Sequence, residues 1–163
     1  MNVRIEDKNN IPKLVAGMQD IIFRVSKKVG EYFEGKILDM MHQQYPGWPA
    51  LAASTIANKG STKAWIDTGE LWEQITYKVA TGNLNSKIEI GIFDHEKAFI
   101  AQCLEYGTTN TGAMMAAGMM HQWSKTHIPE RPLFRLVFDL EEENVVQLIN
   151  NELDKELSKF MTF

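Results

Sequence analysis

A long apolar stripe near the start of the chain constrains the size of any fold that this sequence can adopt. Apolar residues recur at steps of three and four from Leu14 to Met41, and charged residues fall mostly between them. Over so long a run, this spacing predicts one face of a helix and excludes a strand. Pro12 suits a first helical turn, and Pro46 disfavours α geometry at the residue before it. We therefore predict a helix over residues 11–45, about 45 Å long.

The predicted helix is as long as the domain that must contain it. The chain has 163 residues, which predicts one domain with a diameter of about 40 Å. Gly30 and Gly35 lie inside the helical stretch, and each costs about 1 kcal/mol in a helix interior. A bend at either glycine is therefore an alternative to a continuous straight helix. In both cases the helix reaches the edge of the fold.

The middle of the sequence predicts irregular structure followed by a hairpin. Residues 46–75 are interrupted by prolines and glycines and predict a loop with short helices, one of them capped by Ser54. A β-prone run at 76–79 and the alternating isoleucines at 88–92 flank a connector rich in glycine and asparagine. This pattern is typical of an antiparallel hairpin, here over residues 76–93, with one apolar face that needs a helix to cover it.

The second half of the sequence predicts two further helical regions. Residues 94–127 predict helix and loop, with Asp94 as the N-cap of a helix that Gly107 terminates. Residues 128–163 predict a C-terminal helix that starts at about Pro132. The predicted fold class is therefore α+β, a single domain in which a small antiparallel sheet packs against a long N-terminal helix and a C-terminal helix.

Composition and charge exclude several classes of protein. The 17 Lys and Arg against 21 Asp and Glu give a net charge of −4, whereas proteins that grip nucleic acid carry a cationic surplus. The single cysteine, Cys103, excludes an internal disulfide. No apolar run approaches the roughly 18 residues of a membrane span, and the first residues lack the pattern of a signal peptide. We expect a soluble protein made in the cytoplasm, with no membrane partner.

The sequence offers no convincing catalytic or cofactor-binding constellation. Glycine-rich phosphate loops of the known patterns are absent, and the four histidines lack the spacing of a metalloprotease pair. Cys103 and a histidine would together supply the residue types of a nucleophile and its general base. Its apolar neighbours instead favour a cysteine that packs as a small hydrophobe. We therefore expect no enzyme, no cofactor and no metal, with a Cys/His enzyme as the weakest alternative.

Two regions of the sequence suggest contact surfaces. The methionines at 114, 115, 119 and 120 cannot share one narrow helical stripe. They belong either to a helix buried on most sides or to an adaptable surface that repacks against a partner, for which Met115 and Met119 are candidates. The last helix is acidic. This is either a solvated face or a surface that repels polyanions or meets a basic partner, and its anions are Asp139, Glu141, Glu142, Glu143, Glu152, Asp154 and Glu156.

Four short motifs of aromatic residues, prolines and glycines follow one another along the chain. They read Trp48-Pro49-x-Leu51, Trp65-Ile66-Asp67-Thr68-Gly69-Glu70-Leu71, Leu104-Glu105-Tyr106-Gly107-Thr108 and Ile128-Pro129-Glu130-Arg131-Pro132-Leu133-Phe134. In this order they resemble motifs of phage tail-completion (virion morphogenesis) proteins and of related minor tail and neck proteins of long-tailed phages. The similarity covers about residues 10–160, and the hairpin between the motifs and the closing helix also agree.

The resemblance implies a structural protein without enzymatic activity, located in the virion at the junction of head and tail and assembled in the host cytoplasm. Its partners would be copies of itself in a ring, such as a hexamer, together with other head–tail joining proteins and tail tube proteins. DNA would pass through the lumen of the ring without specific binding. Acids facing that lumen would let DNA slide, and Glu141, Glu142 and Glu143 are the candidates.

The resemblance also implies roles for residues of the first two motifs. Trp48 and Leu51 would pin the first loop to the sheet or to a neighbouring subunit, and Trp48 is the best candidate for an interface hot spot. Thr68, Gly69 and Leu71 would form the turn that leads into the strands. For each residue, maintenance of the fold and contact with a partner are both open.

In the last two motifs, Tyr106, Gly107, Arg131, Pro132 and Phe134 would fix the second pair of loops. Alternatively, Gly107 simply ends one helix and Pro132 starts the next. An arginine between two prolines suits pairing with a carboxylate, within the chain or across a subunit boundary. The main alternative to the phage function is a small, soluble helical module for binding or regulation.

Overall fold

The computed structural model of the protein describes residues 11–82, 85–109 and 127–161. In these ranges it contains four helices and one antiparallel pair of strands, which confirms the α+β class. A single 3₁₀ turn at Trp72–Gln74 precedes the first strand. In chain order the elements are α1 (Ile11–Gln43), α2 (Ala53–Lys59), β1 (Ile75–Thr81), β2 (Ser86–Ile92), α3 (His95–Tyr106) and α4 (Phe134–Met161).

Helix α1 runs unbroken through both of its interior glycines and ends two residues before the predicted limit. Gln44 adopts a left-handed conformation with φ of 62°, and its N–H donates to the Met40 carbonyl at 2.9 Å, which closes the helix. Gly30 has a packing role, because a Cβ placed there would lie 2.3 Å from Cδ2 of Tyr77 on β1. The glycine therefore lets the hairpin approach the helix axis closely.

The predicted hairpin is confirmed, and its register gives it one apolar face. Ile75 lies opposite Ile92, Tyr77 opposite Ile90, and Val79 opposite Ile88. The side chains that alternate with these are mostly exposed. Because α1 contacts both strands, the apolar face is covered by the helix, as the sequence pattern required.

The main core lies where α1, the hairpin and the beginning of α4 meet. Its most deeply buried side chains include Ile37, Met41, Leu133 and Val137, joined by Trp65 from the irregular segment after α2. This position couples the loops of the first half of the chain to the start of the last helix. The core is therefore assembled from residues far apart in the sequence.

Helices α1 and α4 pair in antiparallel fashion and form a long arm, defined here as residues 11–32 with residues 141–161. Arg24 pairs with Glu156 at 2.7 Å, and Lys28 pairs with Glu152 one turn further along. Each of the two carboxylates is also held by a lysine of α4 itself. The arm thus has a seam of ion pairs along one side.

Helix ends show which local predictions were right. Asp94 caps α3 as predicted, its Oδ1 accepting from the Lys97 N–H at 2.9 Å. Ser54 is not a cap; the residue before α2 is Ala52, with no side-chain hydrogen bond. Helix α4 begins at Phe134 instead of Pro132, because residues 128–132 are held extended by the contacts described next.

Candidate functional site

Arg131 is the buried centre of the region where the motifs meet. Its Nε donates to the Pro49 carbonyl at 2.8 Å, and its terminal nitrogens donate to the carbonyls of Ala50 at 3.0 Å and Pro129 at 3.4 Å. Within the described residues, Arg131 therefore binds loop carbonyls, which a planar guanidinium can satisfy as well as a carboxylate; a carboxylate partner across a subunit boundary stays a prediction. Burial lowers the pKa of Arg131, which remains charged.

Two tryptophans fasten the segment that leads into α4. Trp48 Nε1 donates to the Pro132 carbonyl at 2.9 Å, and Trp65 Nε1 donates to the Arg131 carbonyl at 3.0 Å. Phe134 packs edge-on against Trp65, with ring centroids 6.1 Å apart. The first loop is thus pinned to the chain before α4, and contact of this loop with a neighbouring subunit stays a prediction. Leu51 packs against the core.

Glu105, at the end of α3, caps α4 from another element. Its buried carboxylate accepts from the backbone N–H groups of Leu133 at 2.7 Å, Phe134 at 3.1 Å and Arg135 at 3.0 Å. A helix start leaves such N–H groups without partners and favours a negative charge beside them. In the sequence, Glu105 stands out only as part of a motif, because a cap supplied from 28 residues away has no local spacing to reveal it.

Arg135 closes this region on the solvent side. Its Nε lies 3.3 Å from Glu105 Oε1, and its guanidinium stacks over the Tyr106 ring at 4.6 Å from the centroid. A second pairing joins it to Glu130 at 3.3 Å. Tyr106 itself is exposed, so Tyr106, Glu130 and Arg135 face solvent beside the buried Glu105 and Arg131.

Gly107 permits a close backbone crossing immediately after α3. Its φ is +66°, and a Cβ there would lie 2.8 Å from both the Glu130 nitrogen and the Ile128 oxygen. Beside it, Thr108 and Ile128 exchange two backbone hydrogen bonds of 2.9 and 3.0 Å. Gly107 therefore ends α3 and also fixes the loop pair, so the two roles offered for it as alternatives are both present.

The turn before the strands also needs a glycine. Gly69 has φ of +98°, and a Cβ there would lie 2.9 Å from Nε1 of Trp72. Leu71 packs on the core, whereas Thr68 is exposed. The three residues lie just before the 3₁₀ turn that enters β1, where the resemblance implied a turn.

We call this convergence of motifs the junction: residues 48–51, 65, 104–107 and 128–135. It joins three of the four motifs directly, and Trp65 adds the fourth. Its polar groups are satisfied by one another, so its described contacts maintain the fold. A mainly apolar groove of about 320 Å³ runs beside it, between β2, α3 and the start of α4, and is lined in part by Ile90, Phe134 and Phe138.

The three candidate acids of the last helix differ in their surroundings. Glu141 turns toward α1, where it accepts from Tyr32 and pairs with Lys36 at 3.0 Å. The hydrogen bond from Tyr32, with others from Asn144 and Lys36, lowers the pKa of Glu141. Glu142 and Glu143 are exposed. Of the seven acids predicted to lie on the surface of the last helix, three face α1 instead: Glu141, Glu152 and Glu156. Met115 and Met119 lie outside the described residues.

The described residues contain little that suggests a catalytic or metal-binding site. Cys103 is buried, and desolvation raises the pKa of its thiol. Nowhere in the described ranges do three or more His, Cys, Asp or Glu side chains come together to hold a metal ion. Among the described helices, none combines the length and apolar character of a membrane span.

Comparison of the chain with protein-family models, with curated proteins and with solved structures gave no match in any of the three. The resemblance to tail-completion proteins therefore rests on the motif residues of the sequence alone and stays a prediction. The residues that carry the likeness are the same ones that hold the two halves of the chain together.

Proposed function

We propose that this protein is a structural component of the head–tail junction of a long-tailed phage, acting in tail completion, as a neck protein or as a tail terminator through contacts between subunits. The observation that carries the proposal is the contact between the four sequence motifs within the chain, in the region defined above as the junction. Trp48 contacts Pro132, Arg131 contacts Pro49 and Ala50, and Glu105 caps the helix that follows the last motif. These contacts support the proposal because they show that the four motifs act together in the fold.

The shape of the molecule supports assembly with other chains. A long two-helix arm projects an extended surface, and α1 exposes apolar side chains at Ile11, Val15 and Phe23. Head-to-tail contacts that close by rotation produce rings. The assembly proposed is a ring of copies of this chain, bound to other head–tail joining proteins and to tail tube proteins, with DNA passing through its lumen.

The proposed function is tested by removing the protein from its phage. A null allele should yield filled heads and separate tails that do not join, and the purified protein added to the extract should restore infectious particles. Joined, infectious virions without the protein would contradict the proposal. A purified chain that stays monomeric at high concentration in light scattering would favour the binding-module alternative.

The lumen hypothesis makes a separate prediction for Glu142 and Glu143, which are exposed. Replacing both with lysine should slow genome packaging or ejection, because a cationic lumen holds polyanionic DNA. The measurement is the rate of DNA release from purified virions, with a reversal of the exposed Glu96 as the control. Unchanged release and infectivity would remove the hypothesis.

A further inference from the structure

One face of α4 carries an acidic surface with exposed apolar side chains. Because residues three and four apart share a helix face, Asp139, Glu142, Glu143 and Val146 lie together. Val146 is 53% exposed, and the neighbouring Leu140 is 56% exposed. Glu141, Val145 and Glu152 turn the opposite way, toward α1. We call these five exposed residues the acidic surface: Asp139, Leu140, Glu142, Glu143 and Val146.

The seam of the arm carries a surface of the opposite charge. Five cations lie along it with side chains 50–66% exposed, whereas the carboxylates of Glu152 and Glu156 beneath them are only 8% and 11% exposed. With the exposed Glu31 included, the five cations and three acids leave a net charge of +2. We call these cations the cationic surface: Arg24, Lys27, Lys28, Lys155 and Lys159.

The cationic surface contains a depression. Its volume is about 220 Å³, and it is lined by Val25 and by three ion pairs: Arg24 with Glu156, Lys27 with Glu31, and Lys28 with Glu152. Long cationic side chains cover such a site with their aliphatic stems while their charged ends stay in water. The depression can therefore accept one aliphatic side chain, and the positive charge of the cationic surface lies around it.

The two surfaces cannot meet within one chain. On α4 their centres are about 14 residues apart, which is roughly 20 Å along the helix axis. They also lie on different sides, since the acidic surface faces away from α1 and the cationic surface spans the seam with α1. Any contact between them must therefore involve two copies.

We propose that the acidic surface of one copy docks on the cationic surface of the next, with Leu140 or Val146 filling the depression. Two-fold pairing of either surface with itself would place like charges together and is disfavoured. Unlike surfaces on different sides of one chain suit a head-to-tail contact, which forms a ring where the rotation between copies closes. The inference rests on the proposed ring, and for Glu142 and Glu143 it is an alternative to the lumen hypothesis, because it places them at a subunit boundary.

The test is a charge swap followed by sedimentation velocity. One variant carries Glu142→Lys and Glu143→Lys, and the other carries Lys27→Glu and Lys155→Glu. In the second variant Glu152 keeps Lys28, and Glu156 keeps Arg24 and Lys159. The wild type should form a discrete oligomer at low salt that weakens as salt shortens the Debye length. Each variant alone should associate at least about tenfold more weakly.

An equimolar mixture of the two variants should associate again, because each reversed surface then meets its complement on the other variant. The control matched to the first variant is Glu73→Lys with Glu96→Lys, which makes the same charge change at exposed positions elsewhere and should leave association unchanged. Circular dichroism verifies folding. If a reversal unfolds the chain, Glu142→Gln with Glu143→Gln and Lys27→Gln with Lys155→Gln should weaken association in the same direction.

Three results would overturn the docking proposal: a wild type that is monomeric at every salt concentration, folded variants that associate like the wild type, or a mixture that stays dissociated. The head–tail joining assay keeps this separate from the proposed function. Joining that requires the protein but tolerates both charge reversals would retain the function and remove the docking. Salt-sensitive assembly without any role in joining would do the reverse.

Discussion

At the residue scale, Glu105 has a larger structural role than its place in a motif suggests. Its carboxylate serves three N–H groups at the start of α4 and also contacts Arg135, so one side chain links α3 to α4. The site is buried, where an N–H without an acceptor costs about 1–3 kcal/mol. The position of α4 therefore depends on a residue of the preceding helix.

Replacing Glu105 with alanine should lower the free energy of unfolding by about 2–3 kcal/mol, because it removes a helix cap and leaves buried N–H groups unsatisfied. Glu105→Gln keeps one acceptor oxygen and should cost less. The measurement is urea denaturation followed by circular dichroism. The control is Glu130→Ala, which removes the other acidic partner of Arg135 at an exposed position and should change stability by under about 1 kcal/mol. Equal losses for the two alanine variants would contradict the assigned role.

At the element scale, the two glycines inside α1 have different surroundings. A Cβ at Gly30 would overlap the Tyr77 ring, whereas a Cβ at Gly35 would meet no atom within 4 Å. Both residues have ordinary helical backbone, so the difference between them isolates the packing of helix against hairpin. The same helix thus supplies its own control.

Gly30→Ala should destabilise the protein by about 1–3 kcal/mol, since the ring of Tyr77 must move out of a packed position. Gly35→Ala should stabilise it by about 0.5–1 kcal/mol through the better helix propensity of alanine. Thermal unfolding of the two variants beside the wild type gives both signs. Stabilisation by Gly30→Ala would show that the hairpin packs less closely on α1 than described.

The elements that were predictable from the sequence are those with local signals. The stripe from Leu14 to Met41 gave α1 to within two residues, and alternating isoleucines gave the hairpin. The binding of Arg131 to the carbonyls of Pro49 and Ala50 was missed because they lie 82 and 81 residues away. The capping by Glu105 was missed because the capped N–H groups begin 28 residues away. The orientation of three α4 acids toward α1 was also missed, because the composition of a helix does not show which way each charged side chain points. The prediction that Ser54 caps a short helix was wrong, because a residue type that favours capping does not by itself determine where a short helix begins.

At the scale of the whole molecule, the ion pairs of the arm join the first helix to the last. Hydrogen bonds from Lys159 and Arg24 lower the pKa of Glu156, and those from Lys155 and Lys28 lower the pKa of Glu152. A carboxyl group whose folded pKa lies below its unfolded value stabilises the fold above the unfolded value, about 4.3 for glutamate. That stabilisation is lost as the pH falls through the folded pKa.

The wild type should therefore lose stability as the pH falls below about 4.3, with the loss concentrated in the arm. Replacing Glu152 and Glu156 with glutamine should lower the unfolding midpoint at pH 7 and flatten its decline toward pH 3. Thermal unfolding at a series of pH values measures both effects. A double variant whose midpoint falls as steeply as that of the wild type would show that these two groups do not set the acid limit.

The pairing of α1 with α4 has a consequence during synthesis. More than 120 residues separate Arg24 and Lys28 from the glutamates with which they form ion pairs. At about 5–20 residues per second, the ribosome needs roughly 6–25 s to deliver those partners after α1 has emerged. Throughout that interval the apolar side chains of Ile21, Val25 and Val29, buried in the finished molecule, are open to chaperones and to other nascent chains.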